Sequence, residues 1–135
     1  MLVPVLEITV AKGSNAKEPV AIELMTSNRR ITGLSTTLEF YQKNAISDVY
    51  DPASFWLYFE DEYGERISNE EIYVADSKTE DANQRFTKFV FEFVNRRYTV
   101  EDTYYLVIKN QKNDLTERIK FIIDNPFAES FDFDI

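Results

Sequence analysis

Apolar and polar residues alternate with period two along most of the chain, and turn-forming clusters break up the alternation. Leu6, Ile8 and Val10 share one face of a first candidate strand over Leu2–Val10, and residues 11–15 read as a turn. Val20, Ile22 and Leu24 alternate with Ala21, Glu23 and Met25 in a second candidate. Leu34, Thr36, Leu38 and Phe40 share one face of a third, and Phe55, Leu57 and Phe59 share one face of a fourth. Trp56 and Tyr58 stand on the opposite face of that fourth strand. Residues 61–65 form a turn in which Gly64 supplies a positive φ. Residues 72–74 read as a short, weak strand, and the polar, acidic stretch 75–84 reads as a mobile loop. Thr87, Phe89, Phe91 and Phe93 line one face of a long strand. Tyr104, Leu106 and Ile108, then Ile119, Phe121 and Ile123, form the two arms of a closing hairpin.

Helical periodicity is never sustained. Seven or eight short strands with turns every 8–12 residues or so define an all-β, antiparallel sandwich. Parallel pairing is not expected, because the sequence has no room for crossover helices. Residues 1–124 read as one domain and 125–135 as a separate tail. The stretch Asp102-Thr103-Tyr104-Tyr105-Leu106-Val107-Ile108 looks like the penultimate strand of immunoglobulin-like and fibronectin-like domains. In those domains a tyrosine near the strand start bonds back to the backbone, and Tyr104 is the candidate for that corner.

Composition supports this reading and narrows the chemistry. Phe and Tyr supply 19 of the 135 residues (11 plus 8), and aromatic side chains suit a pleated, half-buried surface. There is no His and no Cys, so the usual general base, the usual zinc ligands and the Ser-His and Cys-His nucleophile pairs are all missing. The carboxylates Glu60, Asp61, Glu62, Glu65, Glu70 and Glu71 crowd one connection and read as a solvated hairpin tip. They do not form the facing pair that glycoside hydrolysis requires. Asp76, Glu80, Asp81 and Asn83 could offer calcium oxygen ligands, but without EF-hand spacing. No catalytic residue, metal site or cofactor is expected. A net charge of −9 argues against nucleic acid and anionic membrane surfaces as partners. Arg29, Arg30, Arg85, Arg96 and Arg97 read as local salt-bridge partners. The N-terminus has no basic region, and Pro4 and Glu7 break its apolar run. No run reaches the roughly 18 apolar residues of a membrane helix. A soluble protein without a signal peptide or membrane segment is expected.

Two surfaces stand out as candidate binding sites. In the tail, Phe131, Phe133 and Ile135 alternate with Ser130, Asp132 and Asp134, after Phe127. Unstructured tails are normally poor in aromatics, so this one reads as an amphipathic strand. It either folds back on its own sheet or adds to a partner's edge. Trp56 and Tyr58 are candidate core residues or, if exposed, a platform for a glycan or a protein, which Tyr41, Tyr50 and Tyr63 could extend.

The segments Tyr104–Lys109 and Glu117–Asp124, with the Phe- and Asp-rich end, resemble N-terminal β-sandwich domains of baseplate and tail proteins from phages of Gram-positive bacteria. The resemblance implies a non-catalytic structural or adaptor component of a virion, with a protein partner or a homo-oligomer. The alternative expectation is a carbohydrate-binding module.

Overall fold

The computed structural model describes residues 17–126. The candidate strand Leu2–Val10 and the tail residues Phe127, Phe131, Phe133 and Ile135 lie outside the described residues. Ten strands form within them: β1 (Glu18–Pro19), β2 (Ile22–Leu24), β3 (Arg30–Ile31), β4 (Ser35–Gln42), β5 (Tyr50–Asp51), β6 (Ala53–Asp61), β7 (Glu71–Ala75), β8 (Phe86–Glu92), β9 (Tyr104–Asn110) and β10 (Thr116–Ile123). Seven of these are three residues or longer, and each falls on a segment where the sequence alternates. A three-stranded sheet has the order β2-β4-β8, and a five-stranded sheet has the order β3-β10-β9-β6-β7. β4 and β8 share one sheet and β6, β9 and β10 the other. That is the two-sheet partition of an immunoglobulin-like sandwich.

The core lies where the apolar faces of the two sheets meet. Phe59 stands at its centre, with the rings of Phe91, Phe93 and Phe121 packed edge-on at 5.4, 4.9 and 5.1 Å. Nearer β7, the rings of Phe40, Tyr73 and Phe89 form a second cluster. Each such edge-to-face pair adds about 0.5–1.5 kcal/mol beyond the area it buries.

Two pairings depart from the all-antiparallel expectation. β3 runs parallel to β10, and β1 runs parallel to β5, over two residues each. A crossover helix is not needed for either. After β2 the chain leaves the edge of the three-stranded sheet, crosses the open flank and joins the edge of the five-stranded sheet as β3. Its parallel neighbour there comes from the far end of the sequence.

Candidate interaction surface

Strand alternation sends Phe55, Leu57 and Phe59 of β6 into the core and leaves Trp56 and Tyr58 on the outer face, both half-buried. Trp56 pairs in register with Lys109 of β9 and Ile72 of β7, and Tyr58 pairs with Val107. The Lys109 ammonium lies 5.6 Å from the Trp56 ring centroid, and the Arg66 guanidinium lies 4.1 Å from that of Tyr58. Each of these contacts contributes on the order of 0.5–1 kcal/mol. Val107 is fully buried although its side chain belongs to the outer face, flanked in register by Tyr58 and Arg118. This face therefore carries a small packed layer of its own. Ile72 and Val74, 52% and 53% exposed, continue it towards the β7 edge. Lys109, Arg118 and Lys120 stand on this face. Arg118 is paired with Glu60 and Lys109 lies 4.0 Å from Asp114, so Lys120 is the cation that no carboxylate among the described residues meets. The expected extension by other tyrosines does not form. Tyr41 stacks on Phe86 across the other sheet, Tyr50 packs against the core, and Tyr63 is 86% exposed at the β6–β7 turn.

Beside this face runs the edge of β10. The amides of Ile122 and Asp124 donate to Arg29 and Ile31 at 2.8 and 2.7 Å, so even-numbered residues of β10 point their backbone groups away from β9. By the same parity the N–H groups of Thr116, Arg118 and Lys120 face outward. β3 covers only 122–123, and among the described residues no other strand pairs with this edge of β10. Next to this stretch a groove of about 280 Å3 has Val20, Ile22, Phe55, Ile108 and Leu115 as its apolar part, with Asn113 and Glu117 at its rim. Leu115 is 70% exposed.

Of the carboxylates expected to form a solvated tip, Glu62, Glu65 and Glu70 are exposed, but Glu60 and Asp61 depart from that reading. The side chains of Glu60 and Asp61 are almost fully buried, and as neighbours on β6 they point to opposite faces. Glu60 accepts from Arg118 Nε at 2.7 Å. Asp61 Oδ1 accepts from the amides of Tyr63 and Glu65, both at 2.9 Å, and Oδ2 sits 3.5 Å from Arg96. Burial pushes the Asp61 carboxyl up, but the two backbone amides and Arg96 outweigh it and hold the group below its ordinary range. Neither carboxylate faces the other across a cleft. Each is already matched to an arginine.

The arginines divide. Arg30 pairs with Asp124, and Arg96 with Asp61. Arg97 donates to the Pro126 carbonyl, and Arg29 to that of Thr26. Arg85 meets no carboxylate among the described residues. Its Nε donates to the Gln42 carbonyl at 2.9 Å, Nη1 to that of Thr79 at 2.9 Å, and Nη2 to Lys43 and to the Tyr41 hydroxyl. The buried Gln42 amide donates to Asn44 and Ser77 and accepts from the Ser77 amide at 3.0 Å. This clamp ties down residues 75–84, which the sequence presents as a mobile loop. The reason is that buried side chains satisfy that loop's backbone. Among the calcium candidates, the Asp81 carboxylate instead caps the short 3-10 turn Ala82–Gln84 by accepting from the Asn83 amide. Among the described residues, no group of three or more Asp or Glu is placed to hold a metal ion.

At the other end of the core, the Tyr104 hydroxyl accepts from the Thr99 amide at 3.2 Å, so the expected corner is present. Its ring packs edge-on against Tyr98, 5.5 Å away, whose hydroxyl donates to the Val94 carbonyl at 2.5 Å. Burial pushes the Tyr98 phenol up to about 12.

Sequence reasoning missed the Gln42–Arg85 clamp and the open β10 edge. A glutamine ending a strand and an arginine after a polar loop carry no mark of burial. The β10 edge could only be seen once strand order was known.

No family model matches the chain. It is similar to a protein of Bacillus cereus (strain H3081.97) named alkaline phosphatase-like protein PglZ. The two are 32% identical over 139 aligned positions, covering 98% of this chain and 16% of that protein. The chain thus spans about a sixth of the length of the curated relative it matches. No helix among the described residues is long and apolar enough to cross a membrane.

Proposed function

We propose that this chain is a non-catalytic adaptor module that works by holding a protein partner. The observation that carries this reading is the meeting, on one flank of the sandwich, of an outer face bearing Trp56, Tyr58 and lysines with a strand edge that no strand among the described residues pairs. The face presents Trp56, Tyr58, Lys109 and Lys120, and the edge is Thr116–Lys120 of β10. Interfaces favour Trp, Tyr and Arg, and bare edges pair with other chains. The similarity to one sixth of a larger protein supports a module that accompanies other parts. Hydrolysis of the kind that protein's name suggests commonly uses paired metal ions. With no His or Cys in this sequence, the reading assigns such chemistry to regions outside the matched sixth. A component of a phage tail or baseplate, which the sequence resemblance implies, is another setting for the same role.

A glycan platform at Trp56 and Tyr58 is the weaker reading. Lys109 and Arg66 already lie over the two rings, where a sugar would have to stack.

The full chain should hydrolyse no chromogenic phosphate monoester above the metal blank when supplied with Zn2+ and Mg2+. Its Trp56 fluorescence should be unmoved by a panel of glycans. Its solution mass should exceed that of a monomer, and Trp56→Glu should lower it. Protein-dependent turnover, or a strictly monomeric chain whose Trp56 emission is quenched by a glycan, would overturn the reading.

A further inference from the structure

We propose that the bare edge of β10 is an acceptor for strand addition, and that its occupant is residues 130–135 of a second copy of this chain. The inference rests on the adaptor reading and names both the site and the partner.

The acceptor presents three outward N–H groups, from Thr116, Arg118 and Lys120, over a length of about 13 Å at the usual strand rise. A strand paired there projects alternate side chains to the two faces of the sheet. On the outer face they fall beside Arg118 and Lys120, and on the inner side they meet the groove whose apolar floor is Val20, Ile22, Ile108 and Leu115 and whose rim carries Asn113 and Glu117. An occupant that fits must therefore alternate acidic and apolar residues. The sequence Ser130-Phe131-Asp132-Phe133-Asp134-Ile135 has that alternation: Asp132 and Asp134 on one side, Phe131, Phe133 and Ile135 on the other. The charge match rests on Lys120, which meets no carboxylate among the described residues, and on the exposed side of Arg118, whose other partner is Glu60.

The donor is a second copy for a geometric reason. After β10, Asn125 is bridged to Tyr98 through both of its backbone groups, and Arg97 holds the Pro126 carbonyl. The chain thus leaves the sheet at the Tyr98 corner. β3 occupies the same edge of β10 at 122–123, between that exit and the free stretch. β3 therefore stands on that edge between Pro126 and Thr116–Lys120, so the free stretch is not continuous with the chain's own exit, and the donor is taken from a second copy.

Amide hydrogen exchange of the full chain across a concentration series tests this. Thr116, Arg118 and Lys120 should become protected as concentration rises, by roughly 100-fold or more at saturation, in step with the rise in solution mass. Lys120→Glu should weaken association at least about tenfold by placing like charges together, and adding Asp132→Lys and Asp134→Lys to that variant should restore it. Phe131→Ser with Phe133→Ser should abolish the protection, and should leave the unfolding midpoint unchanged at concentrations where the unaltered chain is monomeric. Two results would overturn the proposal: exchange at these amides that does not depend on concentration, or a charge swap that fails to restore association. If the chain associates while the three amides stay unprotected, the edge assignment fails and the adaptor reading stands. If the chain turns over the phosphate ester, the adaptor reading itself fails.

Discussion

The Tyr104 hydroxyl holds the Thr99 amide at the corner where the chain crosses from one sheet to the other. Its ring is fully buried against Tyr98. Removing the oxygen alone leaves the packing intact and strands one backbone donor. Tyr104→Phe should therefore cost about 1 kcal/mol, the net worth of a hydrogen bond whose partner is left unsatisfied. The same ring removed by Tyr104→Ala should cost roughly 3–5 kcal/mol, because a cavity then opens in the aromatic core. Chemical denaturation of both variants separates the two contributions. A Tyr104→Phe variant as damaged as Tyr104→Ala would mean that the hydroxyl, not the ring, organises this corner.

At the scale of the element, the β6–β7 turn shows local chemistry enforcing register. Asp61 accepts from the amides of Tyr63 and Glu65, and the Gly64 amide donates to the Asp61 carbonyl. Gly64 closes the turn at a φ of 84°. A Cβ placed there meets nothing within 4 Å, so strain from Gly64→Ala is conformational only. About 1 kcal/mol of destabilisation is expected, seen as a lower urea midpoint with an unchanged slope. A changed slope would point to a shifted β6–β7 register instead. This turn was legible in the sequence because Gly and Asp act on their own neighbours. The strands were legible for a similar reason: alternation such as Phe55-Leu57-Phe59 states which face is buried. Partnership was not legible. Glu60 reads as surface charge until β10 brings Arg118 beside it, 58 residues away in sequence. Arg85 reads as a salt-bridge partner, and Gln42 carries no mark at all, until the chain folds both over residues 75–84. The placement of Trp56 depended on whether another layer covered its face, and period-two alternation says nothing about that.

Across the whole molecule, opposing electrostatic effects should set the dependence of stability on pH. At pH 7 the chain carries −9, and protonation towards its isoelectric point near 4.5 relieves self-repulsion. Stability should therefore rise as pH falls from 7 to about 5 at low ionic strength. Below that, Asp61 opposes the trend. Its folded carboxyl titrates below the ordinary 3.8, so its contribution is complete above that value and is lost as pH falls through the lower folded one. At the alkaline end Tyr98 acts with the opposite sign. Its phenol titrates near 12 when folded against 10 ordinarily, so its contribution is complete below pH 10 and drains away between 10 and 12. Thermal unfolding over this range should show a maximum near pH 5 with two falling limbs. Asp61→Asn should flatten the acid limb, and Tyr98→Phe the alkaline one. Salt near 1 M shortens the screening length to about 3 Å, so it should remove the slope between pH 5 and 7. It should leave the acid limb in place, because the groups that hold Asp61 are in direct contact with it. An acid limb that disappears with salt would mean that diffuse charge, and not the Asp61 turn, governs acid unfolding.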